Sequence, residues 1–292
     1  MGNKIFQIRT DFADELITQN IQSKTYHHIE KKNDFLKCNA ISILTDENEL
    51  GKAKGEYVSI EFKNLFDHDD REQIIEAIYE SLQTIIDKME LSLSKILVVG
   101  LGNRFITSDA LGPGVADEIM VTAHLYENEE KELLEGTRNV AVIQPGVMGQ
   151  TGLESFHIVK SVAQSYQPDL IIAVDALATR NTSRINRVVQ INNTGIQPGS
   201  GVGNHRMALN EESLGIPVLA IGVATVTSIG AILNESLDKV EIEKEEILQK
   251  IYDDSNLDLV VTPKSMDDEL KHLTYIVAES LNKVLHPDYD RL

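Results

Sequence analysis

Hydrophobic residues in the middle of the chain form short runs, and longer segments with apolar residues at helical spacing separate them. The run Ile96–Leu101 has no polar alternation, which is typical of a strand covered on both faces. Val140–Gln144 and Leu170–Val174 follow as further strands. The segments between these strands, Ala110–Tyr126 and Thr151–Tyr166, have the periodicity of helices. This order predicts an α/β fold with a mostly parallel sheet and helices on both faces.

Other segments extend this pattern on both sides. Asp69–Leu93 carries apolar residues at helical spacing and predicts a long helix. Further strands are predicted at Ala40–Leu44, Gly55–Phe62, Val188–Asn192, Pro217–Val223 and Leu259–Thr262. The N-terminal residues are polar and weakly patterned, and no internal repeat or low-complexity linker interrupts the chain. We therefore expect one α/β domain with an N-terminal extension.

Composition and charge narrow the classes of partner. The 292 residues include 42% hydrophobic and 25% charged residues, which is ordinary for a globular protein. The net charge of −19 repels nucleic acid and anionic membrane surfaces, so we expect neither as a direct partner. The uncharged stretch Leu214–Leu233 contains Pro217 and has acidic flanks, and a strand, a turn and a helix start explain it better than a membrane span.

The sequence lacks the motifs of several common enzyme and cofactor-binding classes. Cys38 is the only cysteine, which excludes an intrachain disulfide and suggests a reducing compartment. The N-terminus has no apolar signal-peptide core, so we expect a cytoplasmic protein. The Gly-x-Ser-x-Gly and P-loop motifs are absent, and Phe105 stands where a dinucleotide fingerprint would need its third glycine. We expect no cofactor.

Two aspartates follow buried strands of the predicted parallel sheet. Asp109 lies in the loop after Ile96–Leu101, and Asp175 comes directly after Leu170–Val174. Functional groups gather at the carboxyl ends of parallel strands, so both carboxylates are expected at one edge. Taken singly, Asp109 could cap a helix and Asp175 could form a salt bridge. Taken together they suggest a pair, in which one carboxyl keeps a proton and the other acts as a base.

A glycine-rich loop, Thr194–Arg206, supplies further candidates. Its glycines allow another backbone to approach closely, which would suit a bound peptide. The candidate substrate-binding residues are Gly199, Gly201, Gly203 and Asn204. In an alternative interpretation, His205 joins Asp109 and Asp175 as a metal-binding set.

Six segments, in order along the chain, carry a family resemblance. They are VVGLGNRFITSDALGP, QPGVMGQTGLE, IIAVDALATR, QINNTGIQPGSGVGNHR, LGIPVLAIGVATV and LVVTPKSMD. Together they resemble the germination proteases of spore-forming bacteria, endopeptidases that degrade small acid-soluble spore proteins during germination. The resemblance runs from about Ile8 to near the C-terminus and is strongest from Leu97 to Val226.

The resemblance implies an atypical aspartic-type endopeptidase whose fold is related to that of hydrogenase-maturation endopeptidases. It implies Asp109 and Asp175 as the catalytic aspartates, in agreement with the pair inferred from the strand ends. It also implies a homotetramer in the cytoplasm of the developing spore and in the spore core, with small acid-soluble spore proteins as substrates. The family is made as an inactive precursor that removes its own short N-terminal segment.

The segment IRTDFADE resembles the family's self-processing site. The family cuts after Glu or Asp, before a hydrophobic residue that is followed by Ala, and Asp11-Phe12-Ala13 fits this preference. We therefore expect residues 1–11 to be a propeptide and residues 12–292 to be a single α/β peptidase domain. Ile8 departs from the preference, because an acidic residue is favoured at its position in spore-protein substrates.

Two alternatives to this interpretation stay open. One is a metal-dependent peptidase that uses Asp109, Asp175 and His205. The other is a non-catalytic binding module on the same fold.

Overall fold

A single sheet runs through the molecule, with helices packed on both of its faces. The computed structural model describes residues 9–17, 23–127, 135–199, 206–237, 247–249 and 259–288. The strands are β1 (Tyr26–Lys32), β2 (Leu36–Ile43), β3 (Gly55–Phe62), β4 (Lys95–Gly100), β5 (Asn139–Ile143), β6 (Leu170–Thr179), β7 (Val188–Asn192), β8 (Val218–Ser228) and β9 (Val260–Val261). The helices are α1 (His68–Lys88), α2 (Leu111–Glu118), α3 (Ala123–Glu127), α4 (Met148–Thr151), α5 (Ser155–Tyr166), α6 (Glu211–Leu214), α7 (Ile229–Leu237) and α8 (Met266–Leu285).

The sheet consists of two halves with different strand directions. Its order is β1-β2-β3-β7-β8-β6-β4-β5, and β9 pairs with β8. Strands β8, β6, β4 and β5 are parallel and form the parallel half. Strands β1, β2, β3 and β7 are antiparallel and form the antiparallel half, which joins the parallel half through β7 and β8. The α/β class and the N-terminal extension are confirmed. The parallel arrangement is confined to four strands. The connections between β1 and β2 and between β2 and β3 are too short for the crossover that parallel neighbours need, and β7 is antiparallel to both β3 and β8.

The two faces of the sheet are covered differently. Helices α1, α2 and α8 pack on one face through a large apolar core that includes Ile78, Val115 and Leu281. Helix α5 covers the other face of the parallel half, where Phe156 and Val159 contact the strands. The helices on both faces are therefore confirmed. In the antiparallel half, residues 11–17 of the N-terminal extension, which include the short 3₁₀ helix Asp14–Leu16, cover that second face instead of an α-helix.

Most predicted elements occur with shifted ends. Strands Gly55–Phe62 and Val188–Asn192 coincide with β3 and β7. The helix predicted over Ala110–Tyr126 stops at Glu118, because Ile119 adopts an extended conformation. The helix predicted over Thr151–Tyr166 is divided into α4 and α5. Strand β1 was not predicted, because its sequence is mostly polar and one of its edges has no strand beside it among the described residues.

The uncharged stretch Leu214–Leu233 folds as the sequence predicts. It contains the end of α6, strand β8 and the first residues of α7. Among the helices of the described ranges, none combines the length and the hydrophobicity needed to cross a membrane.

Candidate active site

The turn from β4 into α2 is held close to β6 by glycines. The Leu101 amide donates a hydrogen bond to the Val174 carbonyl oxygen, with a distance of 2.8 Å. A Cβ atom on Gly112 would lie 2.2 Å from the Leu101 carbonyl oxygen and 2.5 Å from that of Val174. A side chain at position 112 would push the two segments apart, so the glycine brings the loop that carries Asp109 against β6.

The main chain of Asp109 is fixed from two directions. Asp109 ends a short 3₁₀ helix, Thr107–Asp109, and its carbonyl oxygen accepts a hydrogen bond of 2.9 Å from the Asn103 amide. The Thr225 hydroxyl of β8 donates to the Ser108 carbonyl oxygen at 2.7 Å. Helix α2 begins at Leu111 and no side chain caps its N-terminus, so Asp109 does not have the capping role considered as an alternative.

Asp175 lies within β6 and not directly after it. The strand continues to Thr179, because its pairing with β8 extends beyond the point where β4 ends. The expectation that the strand stops before Asp175 was therefore wrong. Asp175 is only 5% exposed, and its Oδ1 accepts a hydrogen bond of 2.9 Å from the Ala176 amide. Within the described ranges no ion pair includes Asp175, so the salt-bridge alternative is not observed there.

Burial changes the acidity of both carboxyl groups. Burial raises the pKa of Asp175 well above its ordinary value, the negative charge of Asp109 raises it further, and the Ala176 amide lowers it. Burial also raises the pKa of Asp109, while a hydrogen bond from the Asn103 amide and the positive charge of Arg206 lower it. Both raised pKa values favour the protonated form of these carboxyl groups, and Asp175 is the more buried of the two.

Both aspartates line one cleft of about 220 Å³. Gly199 and Arg206 border it from the glycine-rich loop, and Asp11 borders it from the N-terminal segment, residues 9–17. The other candidates of that loop, Gly201, Gly203, Asn204 and His205, lie outside the described residues. Among the residues that are described, no three His, Cys, Asp or Glu side chains form a group that could hold a metal ion.

The bond between Asp11 and Phe12 lies beside this cleft. The Asp11 amide donates to the Ala178 carbonyl oxygen at 3.0 Å, and the Ala178 amide donates to Asp11 Oδ2 at 2.8 Å. The Phe12 side chain is completely buried in a cluster with Leu177, Val188 and other apolar residues of the neighbouring strands. These contacts fix the N-terminal segment at the end of β6, three residues after Asp175.

Acidic residues after Phe12 are bound by a buried arginine. Arg184 Nη2 lies 2.8 Å from Asp14 Oδ2, and Arg184 Nη1 lies 2.8 Å from Glu15 Oε1. The Arg180 amide and the Thr179 hydroxyl also donate hydrogen bonds to Glu15. The guanidinium carbon of Arg184 stands 4.8 Å from the centre of the Phe12 ring.

Three cations of this region, Lys52, Arg184 and Arg206, were not among the predicted site residues. Arg206 is the last residue of the glycine-rich loop. Because that loop was predicted to bind substrate, its terminal cation could have been named as a site residue from the sequence. Arg184 had no such signal, because its carboxylate partners lie about 170 residues earlier in the chain.

Sequence comparisons with known proteins agree on one family. The family model described as "Germination protease" matches residues 7–242. Germination protease of Clostridium acetobutylicum is 39% identical over 284 residues, covering 88% of this chain and 87% of the relative. The protein of the same name from Bacillus velezensis is 33% identical over 345 residues, covering 96% and 94%. Among solved structures, the [NiFe] hydrogenase maturation protease HycI from Thermococcus kodakarensis KOD1 matches with a TM-score of 0.33 and 18% identity, covering 65% of this chain and 94% of that one.

Proposed function

The chain belongs to the germination protease family, and we propose that it is an aspartic-type endopeptidase in which Asp109 and Asp175 activate a water molecule. The observation that carries this proposal is the pair of carboxyl groups with raised pKa values in one cleft beside the Asp11–Phe12 bond. Such a pair, with a single proton between its members, can supply both a base and an acid.

The burial of the two groups suggests their roles. Asp109, the less buried of the two, takes a proton from water as the water oxygen bonds to the carbonyl carbon. Asp175, which holds its proton more firmly, donates it to the departing nitrogen as the C–N bond breaks. The products are a carboxylic acid and an amine, and no other reactant is needed. Activity depends on one proton in the pair, so it falls when the pH rises above the pKa of Asp175.

We propose that the first bond cut is the one between Asp11 and Phe12. Cleavage there releases the propeptide, residues 1–11, and leaves residues 12–292 as the mature peptidase domain. The proposal is supported by the place of Asp11 at the cleft and by the burial of Phe12 and Ala13. The same preference, an acidic residue before a hydrophobic residue and Ala, is proposed for other substrates.

The remaining parts of the proposal come from family membership. We propose that the substrates are small acid-soluble spore proteins, that the enzyme acts as a homotetramer, and that it works in the cytoplasm of the developing spore and in the spore core. Size-exclusion chromatography with light scattering tests the assembly state. Digestion of purified spore proteins, followed by mass spectrometry of the fragments, tests the substrate class and the preference.

The mechanism is tested by digestion of a peptide that contains Asp-Phe-Ala, with and without a metal chelator. We expect cleavage after the aspartate. The chelator should not change this cleavage, and Asp109→Asn and Asp175→Asn should each abolish it. Loss of cleavage on chelation, with recovery on addition of metal, would favour the metal-dependent peptidase instead. Cleavage that persists in both variants would overturn the aspartate mechanism.

A further inference from the structure

A row of small and polar residues crosses five strands on the face that the N-terminal segment covers. Each member pairs directly with the next across neighbouring strands, so the side chains point to the same face. The row, which we name the cross-strand row, consists of Asn39, Ser59, Gln190, Gly222 and Asp175. Its four polar members are each less than 10% exposed.

The N-terminal segment follows the cross-strand row toward Asp175. Ser59 Oγ donates to Asp14 Oδ2 at 2.9 Å, at the end of the row far from Asp175. Closer to Asp175, the Gln190 side chain makes two hydrogen bonds to the main chain of the segment. Its Oε1 accepts from the Ala13 amide at 2.8 Å, and its Nε2 donates to the Asp11 carbonyl oxygen at 3.0 Å.

The Asp11 carbonyl oxygen has a second donor. Lys52 Nζ lies 3.0 Å from the same oxygen, so one ammonium and one amide group converge on it. This oxygen belongs to the peptide bond between Asp11 and Phe12. Asp11 borders two cavities: Asp109 and Asp175 line the first, and Lys52 and Gln190 line the second. Asp11 is therefore common to the cavity of the carboxyl pair and to the cavity of the two donors.

We infer that Lys52 and Gln190, which we name the carbonyl site, bind the carbonyl oxygen of the peptide bond being cut and stabilise the negative charge that develops on it. The inference rests on the proposed function, because it takes Asp11–Phe12 as a bond that the enzyme hydrolyses. When water adds to the carbonyl carbon, the carbonyl electron pair moves to the oxygen, and the resulting oxyanion faces the Lys52 ammonium and the Gln190 amide. When the C–N bond breaks, the carbonyl re-forms and both donors remain unchanged.

Physical reasons favour this role over simple docking. Lys52 is largely buried, and burial lowers the pKa of its ammonium group, while the charges of Asp11 and Glu15 raise it. A partly desolvated cation gains more from an oxyanion than from a neutral carbonyl oxygen, so its contribution grows toward the transition state. Gln190 is held in place for this role, because its Oε1 accepts a hydrogen bond from the Ala13 amide while its Nε2 donates to the Asp11 carbonyl oxygen.

The test measures release of residues 1–11 from full-length protein, by intact mass, in Lys52→Met and Gln190→Leu. Exposed residues provide matched controls, Lys54→Met and Gln73→Leu. We expect each carbonyl-site variant to slow release by about 10²–10³-fold, the effect of removing one oxyanion donor. The controls should match the wild type, and Lys52→Arg should retain more activity than Lys52→Met because it keeps the charge.

A second readout separates a transition-state role from docking. Each variant is combined with Asp109→Asn, which stops cleavage, and hydrogen exchange of residues 12–17 is compared with that of Asp109→Asn alone. Slow release with exchange protection retained supports the carbonyl site. Release of residues 1–11 at the wild-type rate overturns the inference. Slow release that is accompanied by lost exchange protection of residues 12–17 also overturns it, because docking alone would then explain the slow rate. Wild-type protein that never releases residues 1–11 overturns the proposed function, and the carbonyl site with it.

Discussion

The two halves of the sheet differ in what their faces carry. In the parallel half, helices cover both faces, and the strands are apolar along nearly their whole length. In the antiparallel half, helix α1 covers one face only, and the other carries the polar residues Ser59, Gln190 and Asn192 beneath the N-terminal segment. The two halves meet where β7 pairs with β8. Asp175 on β6 therefore lies two strands away from Gln190 on β7.

The two halves of the sheet position different parts of the site: the parallel half positions the two aspartates, and the antiparallel half positions the N-terminal segment. The parallel half brings Asp109 and Asp175 into one cleft, because Asp109 follows the end of β4 and Asp175 is the first residue of β6 beyond its pairing with β4. The antiparallel half aligns a peptide through cross-strand neighbours on one face, because strands placed side by side carry their side chains in rows. The proposed acid–base chemistry and the alignment of the N-terminal segment therefore come from different structural rules within one sheet.

The largest expected effect on stability is at Arg184, which binds the N-terminal segment to the antiparallel half. Arg184→Met leaves the carboxylates of Asp14 and Glu15 buried without their cation, and breaking a buried pair costs about 3–5 kcal/mol. Limited proteolysis and hydrogen exchange should show that residues 9–17 lose protection. Arg104→Met is the matched control, because its ion pair with Asp117 is about half exposed, and an exposed pair contributes about 1 kcal/mol or less. Equal effects of the two substitutions would contradict the account.

A smaller effect is expected at Gly112, which brings the Asp109 loop to the parallel half. A Cβ atom there would contact backbone oxygens of Leu101 and Val174, and overpacking of this kind costs about 1–3 kcal/mol. Gly112→Ala should therefore lower the free energy of unfolding in urea and slow cleavage. Gly149→Ala is the control, because a Cβ at that helical position has no atom within 4 Å. Unchanged stability and activity in Gly112→Ala would show that the close approach is not required.

The smallest expected effect is a gain of stability in Asp175→Asn. The folded-state pKa of Asp175 is raised, so the protonated form favours the folded state. Below the ordinary aspartate pKa, about 3.9, wild type and variant should have equal Tm values. As the pH rises, ionisation increasingly favours the unfolded wild type, so the variant should become more stable by a few degrees. The exposed Asp46→Asn should show no such trend, and a variant that is less stable at neutral pH would contradict the assignment.

The sequence predicted the parallel half better than the antiparallel half, for physical reasons. Apolar runs identify strands that are buried on both faces, and topology places functional groups near the carboxyl ends of such strands, so Asp109 and Asp175 could be named as candidates. Strand β1 is largely polar and gave no such signal. Gln190 was visible as a polar residue in an otherwise apolar stretch of β7. Its partners were not, because the contacts of Gln190 and Lys52 with Asp11 join segments far apart in the chain.

We propose that the carboxyl pair of the parallel half cuts the Asp11–Phe12 bond, which the antiparallel half holds in place. N-terminal sequencing after incubation at mildly acidic pH tests this most directly, for wild type, Asp109→Asn and Asp175→Asn. We expect a new N-terminus at Phe12 in the wild type, and a rate of its formation at least about 10²-fold lower in both variants, the lower range for loss of a general acid or base. A new N-terminus at Phe12 that forms equally fast in all three proteins would contradict it.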